Sequence, residues 1–222
     1  MPEFHIPGAE HRTTVIGMTG TGKTVFGAFL LSKQRFDKRP WIVIDFKDEE
    51  LWDMVKRPAI QDLKVGDMPG KRGLYRMRID PWQSDDLEEY LKKIWSRGNV
   101  GLFVDEVSLI PQKDAFKAIL RQGRSRLVPV IACTQRPVDC DREVFTECNF
   151  MACFRLKDER DYKIVNGLIG TKGAERPLPP HWSWWYDAGH NSLFPLKPCP
   201  PPAIVARDLR EVAPVSWWHR AS

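Results

Sequence analysis

Three short segments of this 222-residue chain carry residue types suited to phosphate chemistry. Residues 17 to 24 read Gly-Met-Thr-Gly-Thr-Gly-Lys-Thr, a complete Gly-x-x-x-x-Gly-Lys-Thr loop. Its glycines let backbone N–H groups turn inward around phosphate oxygens, and a following helix N-terminus adds partial positive charge. The backbone of Gly17, Met18, Thr19, Gly20, Thr21, Gly22, Lys23, Thr24 and Val25 is therefore expected to cradle a nucleoside triphosphate. Lys23 is suited to neutralising the β- and γ-phosphates, and the Thr24 hydroxyl to ligating Mg²⁺. Far along the chain, Gly101-Leu102-Phe103-Val104-Asp105-Glu106 is an apolar run ending in two carboxylates. Asp105 is placed to complete the Mg²⁺ shell, and Glu106 to polarise an attacking water. A third run ends in Cys133-Thr134-Gln135-Arg136-Pro137, where the Gln135 amide can sense the γ-phosphate or orient that water.

The elements around these segments read as an alternation of buried strands and helices. Thr14-Val15-Ile16 before the loop reads as a short strand, and Val25 to Leu31 as the start of a helix. Further apolar strands are expected at Trp41 to Phe46, Val100 to Val104, Val128 to Cys133 and Asn149 to Phe154. Leu74 to Ile79 alternates apolar and basic residues and reads as a strand nearer an edge. Helices are expected from Leu51 to Arg57, from an N-cap at Ser84 through Trp95, from Asp114 to Gly123 and from Asp158 to Ile169. Such continuous apolar strands between helices predict an α/β fold with a mainly parallel sheet covered on both faces. From about residue 177 the pattern changes to Pro, Trp and short strand-like pieces, His181 to Asp187 and Asn191 to Leu196, read as an antiparallel edge or hairpin. The expected division is an ATP-binding domain over 1–196 and a Pro/Trp-rich extended tail over 197–222.

Composition sets broad bounds. Hydrophobic residues at 42% and charged residues at 28% suit a soluble globular domain. No apolar run reaches the length of a membrane span, and the first residues show no secretory signal. A net charge of +5 is compatible with a nucleic-acid partner and supports it weakly. The five cysteines are odd in number and without a Cys-x-x-Cys pair, so reduced thiols are expected. The five histidines are scattered, and no zinc site is expected.

Two charged clusters remain open on residue types alone. Arg121, Arg124 and Arg126 bunch between a helix and the strand that ends at Gln135. They suit transition-state charge stabilisation within the chain or across a subunit boundary, and equally a solvated loop or a contact with nucleic-acid phosphates. Asp45-Phe46-Lys47-Asp48-Glu49 follows the second strand and either positions groups near the nucleotide or forms a solvated loop.

The phosphate loop, the strand ending in Asp105-Glu106 and Thr134-Gln135-Arg136-Pro137, in this order, resemble the HerA/FtsK superfamily of DNA-pumping ATPases. Within it the compact chain is similar to the genome-packaging ATPases of tailless icosahedral viruses with internal membranes. Further marks are Arg121-x-x-Arg124 and the Ile44-Asp45-x-Lys47 strand end. The likeness spans roughly residues 12 to 196. It implies a phosphate-loop NTPase fold of the additional-strand, catalytic-glutamate type, with ATP and Mg²⁺ as cofactors. It implies that Glu106 activates water, that Gln135 senses the γ-phosphate, and that Arg124 or Arg121 acts on a neighbour's nucleotide in a hexameric ring. Double-stranded DNA, a capsid vertex protein and an internal viral membrane would be its partners, in the host cytoplasm and the virion.

Two other enzyme classes fit a phosphate loop at this length. A nucleotide or small-molecule kinase would need an arginine-bearing lid and has no need of Glu106 or Gln135. A phage assembly or secretion ATPase would usually carry a membrane span. Ser216-Trp217-Trp218-His219-Arg220 matches no motif, and reads either as a docking peptide for a capsid vertex or membrane headgroups, or as packing back on the domain.

Overall fold

The computed structural model describes residues 4–111, 113–169 and 178–213. Nine strands form one sheet in the order β3-β4-β2-β5-β6-β1-β7-β8-β9. They are β1 (Arg12–Ile16), β2 (Pro40–Asp45), β3 (Ile60–Asp62), β4 (Gly73–Arg78), β5 (Gly101–Asp105), β6 (Val130–Thr134), β7 (Phe150–Cys153), β8 (Ser183–Asp187) and β9 (Ser192–Leu196). Every pair from β3 to β7 is parallel, and β8 and β9 add an antiparallel edge. The α/β class, the mainly parallel sheet and the antiparallel edge expected from the sequence are all present. The short strand β3 was not anticipated: its three residues carry too little pattern, and β3 makes β4 the second strand from the edge.

Alternation within the strands divides the core into two layers. Ile42, Ile44, Leu102 and Val104 face one layer; Trp41, Val43 and Phe103 face the other. The first layer is closed by α3 (Ser84–Arg97), α4 (Asp114–Arg126), the single turn α5 (Glu143–Thr146) and α6 (Glu159–Ile169), through residues such as Leu91, Ile119, Phe145 and Val165. The second is closed by α1 (Lys23–Ser32), α2 (Glu50–Val55) and α7 (Pro202–Val212), through Leu30, Trp52 and Leu209. Gly27 sets how closely α1 lies on the sheet. A Cβ there would sit 2.9 Å from the Phe103 ring and 3.0 Å from Cys133 Sγ. This close seat anchors the phosphate loop at the start of α1 against β5 and β6.

Three local expectations are corrected. Ser84 is the first helical residue of α3, not its cap; the Gln83 side chain folds back to accept from Asp80 N at 3.0 Å. Helix α4 continues past Gly123 to Arg126, so Arg124 and Arg126 belong to its last turn rather than to the connection after it. The third correction concerns the segment read as an extended tail, which contains α7. Pro202 at its first turn is preset for a helix, and Val205, Ala206 and Leu209 are fully buried against α1 and α2. The Trp217-Trp218 motif lies outside the described residues.

The histidines are less scattered than the sequence suggests. The Nδ1 atoms of His5 and His190 lie 3.1 Å and 2.9 Å from the same Asp187 oxygen, and their rings stack at 5.0 Å. The shared carboxylate ties the N-terminal segment to the edge hairpin.

Candidate nucleotide and catalytic site

Strand register brings the three chemical segments to one level. Ile16 pairs with Thr134, and Cys133 with Asp105, which pairs in turn with Asp45. The residues that follow each strand therefore emerge together at the carboxyl edge of the sheet, where ligands of such folds bind. β6 lies between β1 and β5, so Gln135 emerges between the phosphate loop and the acidic pair.

The phosphate loop is tethered at its base. Gly17 N donates to Thr134 O at 3.1 Å, and Met18 N to Arg155 O at 3.0 Å. Thr21 Oγ1 folds back to donate to Met18 O at 2.7 Å. Gly22 takes φ 92°, a left-handed conformation that glycine enters without strain, and hands the chain to α1. Lys23 is buried, with no ion pair among the described residues, which leaves its ammonium available to an anionic ligand.

Thr24 and Asp105 meet as the sequence suggested: Thr24 Oγ1 donates to Asp105 Oδ1 at 3.1 Å. Asp105 is fully buried, and its Oδ2 has no hydrogen-bond partner. An orphaned buried carboxylate oxygen calls for an explanation such as an ion. Hydroxyl and carboxylate oxygens side by side are the donors that Mg²⁺ prefers, so the pair fits the metal. Burial, reinforced by the Glu49 charge, pushes the Asp105 carboxyl up to about 6, against the opposing pull of Lys47, Thr24 and Lys23.

Glu106 is held by four donors. Its Oε1 accepts from Ser108 Oγ at 2.8 Å, Thr134 Oγ1 at 3.0 Å and Gln135 N at 3.1 Å. Its Oε2 accepts from Lys47 Nζ at 2.7 Å. Burial alone would raise its pKa, but Lys47, Ser108 and the Gln135 amide outweigh that effect and hold it below the usual carboxylate range. The residue sits at φ 85°, ψ 76°, an uncommon conformation for a side chain of this size. Strained backbone of this kind concentrates at functional positions. The Gln135 side chain faces the phosphate loop, its Oε1 accepting from Thr19 Oγ1 at 2.6 Å.

Lys47 is the site residue that the residue types alone left open. The loop that presents it is built on a buried ion network: Arg76, 3% exposed, donates to Asp45 Oδ2 at 2.6 Å and 2.8 Å and pairs with Asp48 and Asp53. The other Asp45 oxygen accepts from Lys47 N at 3.1 Å. The signal was present in Arg76, a basic residue in a strand next to one ending in Asp, but only the β2–β4 pairing makes it readable.

The arginines do not join this constellation. Helix α4 runs back from the carboxyl edge, so its last turn lies at the opposite edge of the sheet. Arg124 there pairs with Glu10, just before β1, at 3.1 Å and leaves its side chain 72% exposed. Arg121 pairs with Glu143 on α5. Neither reaches the phosphate loop of its own chain.

Comparison with known proteins agrees with this geometry. No family model matches the chain. The DNA packaging ATPase P9 of Enterobacteria phage PRD1 is 35% identical over 216 residues, covering 92% of this chain and 94% of P9. Among solved structures, the genome packaging NTPase B204 of Sulfolobus turreted icosahedral virus 2, in complex with ATP-gammaS, superposes with a TM-score of 0.64 at 18% identity, covering 86% of this chain and 99% of that one. The EccC ATPases 2 and 3 of Thermomonospora curvata reach 0.61 at 13% identity, over 94% of this chain and 43% of theirs. These two share the fold. The identity to P9, sustained over nearly the full length of both chains, carries more: the chain belongs to the family of viral DNA packaging ATPases.

Proposed function

We propose that this chain hydrolyses ATP to drive double-stranded DNA into a preformed viral capsid. The observation that carries the hydrolytic reading is Glu106, a buried carboxylate fixed between the Mg²⁺ donors and the Gln135 strand end. A phosphoryl-transferring kinase needs no group that activates water.

In this reading the loop from Gly17 to Val25 binds the triphosphate, with Lys23 on the β- and γ-phosphates. Thr24 and Asp105 would hold Mg²⁺, which would supply positive charge against that of the polyphosphate. Glu106 takes the proton of the attacking water once Lys47 releases its Oε2. Gln135 exchanges its bond to Thr19 for the γ-phosphate or the water. Arg124, with Arg121 as the second choice, reaches the nucleotide of a neighbouring subunit in a ring, here taken to be a hexamer. Its distance from the phosphate loop of its own chain supports action across the interface. A capsid vertex protein and the internal viral membrane are the further proposed partners, in the host cytoplasm and at the packaging vertex of the virion. No described helix is long and apolar enough to cross a membrane.

Steady-state ATPase assays test the motor reading. Duplex DNA should raise turnover, with little dependence on sequence and a steep decline with salt, because backbone contacts release counterions. Turnover that ignores DNA and rises with a nucleoside monophosphate would instead identify a kinase.

A further inference from the structure

A second cluster of chemically capable side chains lies at the amino edge of the sheet, opposite the phosphate loop. Asp187 closes β8 and pairs in register with Phe150, the first residue of β7. Two imidazoles converge on one of its oxygens, His5 Nδ1 at 3.1 Å and His190 Nδ1 at 2.9 Å from Oδ2. The other oxygen accepts from His190 N at 3.2 Å. That bond fixes the carboxylate and presents Oδ2 to the two rings. Among the described residues, this is the one group of three His, Cys, Asp or Glu side chains gathered as a metal would need, with ligand atoms all within 4.8 Å of one another.

We propose that His5, His190 and Asp187 form a binding site for a zinc-class divalent cation, separate from the Mg²⁺ donors Thr24 and Asp105. Zn²⁺ holds nitrogen and carboxylate ligands at about 2.0–2.1 Å in a tetrahedron, which sets neighbouring ligand atoms about 3.3–3.4 Å apart. The two nitrogen–oxygen separations already approach that spacing. The rings are inclined by only 24°, with centroids 5.0 Å apart, so small side-chain rotations bring both nitrogens onto one ion. Imidazole nitrogen selects zinc-class ions over Mg²⁺, which prefers oxygen. Binding needs each ring in the tautomer that keeps its proton on Nε2. The cation then takes the place of the Nδ1 protons that bridge the rings to Asp187. Three protein ligands leave a fourth position for water, and the 43% and 67% exposure of the two histidine side chains gives it access. The buried Asp187 carboxylate supplies the compensating charge. Its bond from His190 N plays the orienting part that outer partners play in metal sites.

The consequence of such an ion follows from the chain that it joins. His5 lies 182 residues before Asp187, in the segment that leads into β1 and so to the phosphate loop. The same segment packs Phe4 edge-on against Trp185 at 4.8 Å. A metal would add a crosslink between this segment and the edge hairpin.

Zinc binding to the full-length chain, without an affinity tag or nucleotide and with Mg²⁺ in excess, tests the site. About one equivalent of Zn²⁺ should bind, and His5→Ala and His190→Ala should each weaken it about tenfold or more, since loss of an outer partner alone costs about that much. Co²⁺ in place of zinc should show the visible bands of a four-coordinate nitrogen and oxygen site, without sulfur-to-metal charge transfer. That distinction matters because the chain carries five free cysteines. Hydrogen exchange on the wild-type protein gives a readout that needs no variant: Zn²⁺ should slow exchange in residues 5–11 and 187–192. No saturable binding, an affinity unchanged in either histidine variant, thiolate charge transfer at the first equivalent, or unaltered exchange in both segments would overturn the proposal.

Discussion

The ammonium of Lys47 lies 2.7 Å from Glu106 Oε2 and occupies the oxygen that a water would need. In this arrangement the proposed base is clamped, its carboxylate stabilised by a counter-charge from the neighbouring strand end. Activation then requires Lys47 to move, and binding of a polyphosphate supplies a competing anion for it. Lys47→Met should remove the pull that lowers the Glu106 pKa and leave burial to raise it. The carboxylate would then form at higher pH, so the acidic limb of the kcat profile should move upward. An unmoved limb would mean that the pair does not govern the base.

Glu106→Gln removes water activation and leaves the phosphate cradle intact. ATP affinity should stay within about twofold while hydrolysis falls by roughly 10²-fold or more. Lys23→Ala should instead weaken binding itself. Wild-type turnover in Glu106→Gln would assign the base elsewhere.

Asp105 gives a pH signature of metal binding. Its carboxyl is pushed up to about 6 by burial, and Mg²⁺ binds only the ionised form, so proton and metal compete below that value. The Mg²⁺-dependent part of nucleotide affinity should weaken as pH falls through about 6, approaching tenfold per pH unit for one competing proton. Nucleotides also titrate in this range, so Asp105→Asn is the reference. The steepness that it abolishes belongs to Asp105. Identical pH dependence in the two proteins would exclude the carboxylate as a ligand.

Arg124 and the phosphate loop of its own chain stand at opposite sheet edges. Arg124→Ala should bind ATP normally, because its exposed pair with Glu10 contributes little to stability, yet hydrolyse poorly. A trans-acting arginine can contribute roughly 10³-fold or more. Mixing Arg124→Ala with Lys23→Ala subunits should restore partial turnover, since some interfaces then pair an intact loop with an intact arginine. Mixed rings that form but stay inactive would rule out Arg124 as the shared group.

What could be read from the amino-acid order was whatever depends on near neighbours. The phosphate loop, the acidic pair after β5 and the Thr134-Gln135 strand end each sit at a strand terminus. The apolar runs before them say where a strand must stop, and a parallel sheet collects such stops at one edge. The hairpin of β8 and β9 was legible for the same reason. Contacts that depend on strand order or on a distant partner were not. Lys47 reaches Glu106 only because β2 lies beside β5, and its loop is held only because Arg76 arrives on β4 to neutralise Asp45. Four prolines in five residues suggested an extended tail, but burial of Val205, Ala206 and Leu209 against α1 and α2 overrides that local preference and draws the segment over the phosphate loop. Arg124 looked like a loop residue near the sensor strand, and the length of α4 carries it to the far edge. Local pattern determines where chemistry can emerge from the sheet. Packing across the sheet decides which charge meets which, because that energy depends on distances that separation along the chain does not encode.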